Sequence, residues 1–237
     1  MKTIDFYQNR SNIIQVVNLA VEYLNKGGII IYPTDTIYGF GCNAANSRAI
    51  KEIKLLKNIN QKRPFSVIMR DLDMVKKYCF LNSRQVKVFK KLLPGKFTLI
   101  VKCKKSKLSD EIISKDSTIG VRIPDYDLTA KISKKFKFPY VSTSVNETGK
   151  QPMLWGIEII EKYKDAVLAP DLIIDGGKLG EKSISSSEGL KTAKTGSVKD
   201  MASTVIDLTG QGYKVLRNGA LDTNEVLDLL SLINNQD

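Results

Sequence analysis

Histidine is missing from all 237 residues. Its absence excludes Ser-His-Asp and Cys-His catalysis, HExxH zinc sites and any histidine general base. Chemistry in this chain must therefore run on positioning and electrostatics, or on carboxylate, lysine, tyrosine and hydroxyl groups. Cysteine is scarce: Cys42, Cys79 and Cys103 are three in number and far apart in sequence. That argues against a disulfide framework and against a CxxC metal pattern, and the thiols are expected to be small reduced hydrophobes. Long apolar runs are lacking too. No segment reaches the roughly 18 apolar residues of a membrane span, and "MKTIDFYQNRSNIIQ" has no signal core with a cleavage site. A cytoplasmic protein without a membrane partner is expected. Neither GxxxxGK[ST] nor GxGxxG occurs, which excludes a P-loop and a dinucleotide fingerprint.

Positive charge is abundant. The 37 Lys+Arg outnumber the 25 Asp+Glu, leaving +12. An anionic partner such as nucleotide, RNA or acidic lipid would suit that balance, as would a solvated lysine-rich surface. With 42% hydrophobic residues the chain can bury a sizeable core, and its length lies within what one α/β unit spans. One domain over residues 1–237 is expected, with a core at about 11–220, a Ser/Lys-rich insertion at about 178–199 that reads as mobile or as a lid, and a C-terminal helix at about 222–235.

Along the chain, "SNIIQVVNLAVEYLNKGG" reads as a helix capped by Ser11 and stopped at Gly27, with Ile13, Ile14, Val17, Ala20, Val21 and Leu24 on one stripe. "GIIIYP" is a short buried strand closed by Pro33. "SRAIKEIKLLK", "LDMVKKY", "SRQVKVFKKLL", "LTAKISKKF", "WGIEIIEKYK" and "TNEVLDLLSLINN" read as helices. "FSVIM", "KFTLIVKC", "STIGVRIP", "PYVSTS", "DLIIDGG", "STVIDLT" and "YKVLRNG" read as strands. Interleaved helices and strands predict a mixed, largely covered α/β sheet, and polar motifs fall at strand ends, where open α/β sheets place ligands.

Several groupings at those ends can carry chemistry. Thr34, Asp35, Thr36 and Tyr38 follow a buried strand; their hydroxyls suit a small polar ligand, and equally suit a capped turn. Lys57 and Arg63 could bracket a polyphosphate as a point charge and a planar fork, with a solvated helix face as the alternative. Arg122 ends an apolar strand and, if buried, needs a carboxylate, phosphate or ligand. "STSVN", Ser142 to Asn146, suits phosphate or adenine recognition or an Asx or Ser turn.

Taken in order, "GGIIIYPTDTIYGFGCNA", "PGKFTLIVK", "STIGVRIPDY", "PYVSTSVNETGKQP", "LIIDGG", "STVIDLT" and "KVLRNGA" resemble the successive blocks of the YrdC/YciO family over about residues 11–235. The resemblance implies a twisted mixed sheet with helices packed on it and a concave basic face. It further implies a threonylcarbamoyl-AMP synthase, which joins L-threonine, bicarbonate and ATP and releases pyrophosphate, for modification of tRNA. Such a transfer needs alignment and charge neutralisation, with Mg²⁺ accompanying ATP and no protein-bound metal site, so it fits a chain without histidine. By the same resemblance Thr34, Thr36, Tyr38, Arg122, Ser142, Ser203 and Thr204 would hold threonine. Lys57, Arg63, Thr118, Ser144, Asn146 and Arg217 would hold the nucleotide, with Lys57, Arg63 and Arg217 stabilising phosphate charge. tRNA or other structured RNA and tRNA-modification proteins are implied as partners.

Two departures stand out. Where synthases carry a Lys-x-Arg pair, this chain reads "KNIN", keeping Lys57 but placing Ile59 at the arginine position, and Ile68 stands where a histidine is usual. Both resemble the YciO branch, so an enzyme that hydrolyses an acyl-adenylate is an alternative. A double-stranded RNA or tRNA-binding module is another, resting on the charge and on "KCKKSK" and "KISKKFK".

Overall fold

A computed structural model of the chain describes residues 1–59, 64–104, 107–180, 201–221 and 223–234. The strands are β1 (Lys2–Asp5), β2 (Ile30–Tyr32), β3 (Gly39–Gly41), β4 (Ser66–Ile68), β5 (Phe97–Lys102), β6 (Thr118–Arg122), β7 (Tyr140–Ser144), β8 (Leu172–Asp175), β9 (Thr204–Asp207) and β10 (Lys214–Arg217). The α-helices are α1 (Ile13–Asn25), α2 (Ser47–Leu56), α3 (Leu72–Tyr78), α4 (Ser83–Leu92), α5 (Asp127–Phe136), α6 (Gly156–Tyr163) and α7 (Thr223–Asn234). From residue 181 the Ser/Lys-rich stretch lies outside the described residues, and so do Lys62 and Arg63.

The described strands form one 10-stranded sheet in the order β1-β8-β2-β3-β7-β4-β6-β5-β9-β10. It is mixed. β2 with β8, β4 with β6 and β5 with β9 run parallel, while β3, β7 and β10 pair antiparallel to their neighbours. Because side chains alternate across a strand, β2, β4, β7 and β8 each feed two cores. Ile31, Phe40, Val67, Val121, Val141 and Ile173 join the larger core with residues of α2, α3, α4 and α6. Ile30, Tyr32, Ile68, Tyr140, Leu172 and Ile174 join the smaller one with α1 and α5.

Local chemistry sets the helix ends. Asn46 caps α2 by accepting from the backbone N–H groups of Arg48 and Ala49, and Asn82 with Gln85 closes a capping box on α4. Gly27 takes the left-handed conformation (φ +80) after α1, the role expected of it. Ser11 does not cap that helix. It lies in a 3-10 turn, Arg10–Asn12, that leads into Ile13. The buried stripe of α1 is Val16, Val17, Ala20, Val21 and Leu24, while Ile14 is exposed. A step of about 100° per residue makes one position enough to move a side chain off the stripe.

Two strands carry no sequence signal. β1 is a mostly exposed edge, and β3 is "GFG", whose glycines read as a loop. Gly41 is needed there because a Cβ would lie 2.6 Å from the ring of Tyr32.

Candidate active site

Pro33 ends the pairing of β2, and the next residues fold onto themselves. The Thr34 hydroxyl donates to the carbonyl of Ile37 at 2.7 Å and accepts from the backbone N–H of Thr36 at 3.1 Å. This ST-type turn turns Asp35 and Thr36 toward the end of β6. There Arg122 donates from Nη2 to Asp35 Oδ1 at 2.8 Å and to Thr36 Oγ1 at 3.0 Å. Asp35 Oδ2 also accepts the backbone N–H of Asp125 at 3.1 Å. The pair is nearly sealed, with side chains 8% and 2% exposed. Burial pushes the Asp35 carboxyl above the usual range, against the opposing pull of Arg122. Arg122 Nε is buried and has no hydrogen-bond partner among the described residues.

Arg122 lines a cavity of about 410 Å³. Its floor lies on the sheet face of the smaller core, in a zone where small residues replace large ones. Ser66 on β4 is opposite Ser142 on β7 and both line the cavity, while Gly120 on β6 packs against Ser66 without lining it. A Cβ on Gly120 would lie 2.7 Å from Ser66 Oγ and 3.0 Å from Thr98 Cγ2. Bare backbone and short hydroxyls leave room for a ligand to lie on the strands.

The walls are polar and cationic. Lys57, at the C-terminal end of α2, directs its ammonium to the carbonyls of Ser144 and Asn146, the latter at 3.0 Å, and to Asn146 Oδ1 at 2.9 Å. The carbonyl of Lys57 in turn accepts both the N–H and the hydroxyl of Thr148, at 2.9 and 3.0 Å. The loop after β7 is thereby tied to α2 from both sides. Across the cavity, Arg217 at the end of β10 donates to the Ser203 carbonyl at 2.8 Å and to Ser203 Oγ at 3.1 Å, and Ser203 Oγ lies 2.7 Å from Thr98 Oγ1. Lys150 is the fourth cation on the lining, and among the described residues no carboxylate lines it.

The cavity thus gathers Tyr38, Lys57, Arg122, Ser142, Ser144, Asn146, Ser203 and Arg217 from segments far apart in the chain. Thr34 and Thr36 stand behind it, holding the turn and Arg122. The Tyr38 hydroxyl is engaged, donating to the Gly177 carbonyl at 2.7 Å and accepting the Gly176 N–H at 2.8 Å. Among the described residues Thr204 Oγ1 is buried without a partner, and Thr204 does not line the cavity. Thr118 lies at the other end of β6 from Arg122, its hydroxyl 2.7 Å from Ser114 Oγ. Arg63 lies outside the described residues. Ser66, Thr98 and Lys150 line the cavity without having been singled out in the sequence. Ser66 and Thr98 each left a signal, a lone hydroxyl early in an apolar strand.

Comparison with known proteins shows the family and the fold. The family model Sua5_yciO_yrdC, described as "Telomere recombination", matches residues 22–187. This chain belongs to the Sua5/YciO/YrdC family. It is 31% identical over 228 residues to the uncharacterized protein YciO of Escherichia coli strain K12, covering 94% of this chain and 98% of that one. The crystal structure of E. coli YciO superposes with a TM-score of 0.73 at 30% identity, over 88% of this chain and 91% of that one. The chain is also 27% identical to the human threonylcarbamoyl-AMP synthase, over 89% of this chain and 69% of the human protein. Sua5 of P. abyssi complexed with L-threonine matches the fold with a TM-score of 0.74 at 24% identity; the match covers 90% of this chain and 56% of that longer protein. The expected mixed α/β fold is the one observed. Among the described residues no helix is long and apolar enough to cross a membrane.

Proposed function

We propose that the cavity binds L-threonine and ATP and forms threonylcarbamoyl-AMP, with release of pyrophosphate. One observation carries the reading: a guanidinium fixed by a buried carboxylate, its Nε unpartnered, opens on a hydroxyl-lined cavity that holds three further cations. Such a fork suits the planar carboxylate of an amino acid. Threonine is chosen because a family neighbour was solved with it and a relative bears the synthase name.

In this reading bicarbonate first joins the threonine amine as a carbamate, with loss of water. A carbamate oxygen then attacks the α-phosphorus of ATP, and the bond to the β-phosphate oxygen breaks as pyrophosphate leaves. Metal-bound ATP enters as substrate. No group of three or more His, Cys, Asp or Glu able to hold a metal occurs among the described residues. Arg122 orients threonine, Ser142 and Ser144 line its path, and Lys57 and Arg217 offset the charge of the phosphates. Catalysis then rests on alignment and electrostatics. Purified protein with ATP, threonine, bicarbonate and Mg²⁺ should release pyrophosphate only when threonine is present. Release without threonine, or none, rejects the reading.

Ile59 favours a second reading. It lines the cavity where a synthase would place an arginine, and YciO matches this chain almost end to end. The same cavity would then hydrolyse an acyl-adenylate. Preformed threonylcarbamoyl-AMP separates the two, since rapid breakdown to AMP without pyrophosphate as co-substrate supports hydrolysis. Ile59→Arg should raise threonine-dependent pyrophosphate release if the arginine alone is what the site lacks.

A further inference from the structure

Cys79 and Cys103 are 24 positions apart in the sequence, yet they face each other across an isolated antiparallel bridge. The flanking backbone bonds define the kind of pair. Phe80 N–H donates to the Lys102 carbonyl at 2.9 Å and Lys104 N–H donates to the Tyr78 carbonyl at 2.8 Å, so the bonds straddle the cysteines. This is the non-hydrogen-bonded site of an antiparallel ladder, where facing Cα atoms lie about 4.5 Å apart and the side chains approach most closely. Disulfides span Cα separations of about 4.4–6.8 Å. Both residues are free thiols, and Cys103 Sγ lies 3.4 Å from the Lys104 carbonyl and 3.6 Å from that of Tyr78.

We propose that Cys79 and Cys103 form a cross-strand disulfide by exchange with a small-molecule disulfide such as oxidised glutathione. Cys103 is the less buried of the two, 7% against 1% exposed, and is the point of entry. Its thiolate attacks one sulfur of the small disulfide and expels a thiolate, leaving a mixed disulfide. The Cys79 thiolate then attacks the Cys103 sulfur and expels the second small thiolate. Two protein thiols are oxidised and one small disulfide is reduced to two thiols, which take up the two protons that the protein thiols give up. Burial pushes the Cys79 thiol up to about 12 and raises that of Cys103, so the exchange is slow and proceeds through local opening. Exposed Phe80 beside Cys79 places that opening one residue from solvent.

The bond would join the end of α3 to the end of β5 and close a loop that holds α4. Cys103 lies roughly 17 Å along the strand direction from Thr98 in the cavity. Oxidation should therefore leave ligand binding unchanged, and the crosslink acts on stability. Neither point depends on the reaction proposed above.

The full-length protein would be equilibrated in a glutathione redox buffer, natively and in urea, then quenched with acid, alkylated and mapped by mass spectrometry. The native protein should yield a Cys79–Cys103 peptide lighter by two hydrogens, with Cys42 alkylated. Its equilibrium constant should be at least roughly tenfold above that in urea, because the fold pre-aligns the thiols. Cys79→Ser and Cys103→Ser should each abolish the crosslink while keeping the far-UV circular dichroism of the parent. An equilibrium constant no higher than in urea, a glutathione adduct on Cys103 alone, or native crosslinks to Cys42 would overturn the proposal.

Discussion

Arg122 and Asp35, 87 positions apart, form a buried pair in which one guanidinium nitrogen bridges a carboxylate and the Thr36 hydroxyl. The two partners should not be equally costly to remove. Asp35→Ala strands a guanidinium that cannot lose its proton, and is expected to cost about 3–5 kcal/mol in urea unfolding. Arg122→Ala leaves a carboxyl that can become neutral, and burial already favours that form. Its loss should be smaller. In that variant the folded pKa of Asp35 stays above the unfolded value, so stability should rise as pH falls through the folded pKa. Arg122→Ala should also abolish calorimetric threonine binding; unchanged affinity would remove the proposed fork.

The ammonium of Lys57 meets acceptors on Ser144 and Asn146 that a planar fork cannot copy. Lys57→Met should cost about 1.5–3 kcal/mol, as for other hydrogen bonds to a charge, and lower turnover at least roughly 100-fold. Lys57→Arg should restore little of either. Full recovery of turnover by arginine would mean that charge alone matters at this position.

Gly120 tests the packing that seats Ser66 on the cavity lining. A methyl there meets Ser66 Oγ at 2.7 Å, so Gly120→Ala should weaken ligand binding roughly tenfold while costing about 1–3 kcal/mol of stability. Adding Ser66→Ala removes the nearest clash and should recover much of the stability. Equal ligand affinity in parent and Gly120→Ala would mean that the ligand does not rest on Ser66.

Glu147, on the loop beyond Asn146, is held by Lys150 and Lys162, whose hydrogen bonds lower its pKa from 4.5 to about 2. Because the folded value is the lower one, its stabilising effect is present above about pH 4.5 and fades as pH falls toward 2. Carboxyl-carbon NMR should show that low midpoint. The Lys150→Gln/Lys162→Gln double variant should return it toward 4.5.

Much of the fold was legible because buried strands here are short apolar runs bounded by Pro, Gly or polar clusters. β3 was not, since "GFG" earns its place only by packing against Tyr32. The site was half legible. Thr34, Asp35 and Thr36 mark a polar turn after a buried strand, and nothing local says whether Asp35 caps that turn or meets a distant arginine. Ser66 and Thr98 were visible only as single hydroxyls in apolar strands, a pattern with many innocent causes. The cysteines read as unrelated thiols, because sequence distance says nothing about which residues stand opposite across a ladder.

By itself the sequence determined the alternation of helices and strands, the exclusion of histidine and dinucleotide chemistry, and the placement of polar residues at strand ends. These follow from periodicity and residue chemistry, which act over a few positions. Tertiary structure decided which ends converge. Only the pairing of β4, β6 and β7 brings Ser66, Gly120, Arg122 and Ser142 onto one face. Only the bridge at the end of β5 sets Cys103 against Cys79. Both are long-range contacts, selected by the packing of two cores on one sheet, and no local preference encodes them.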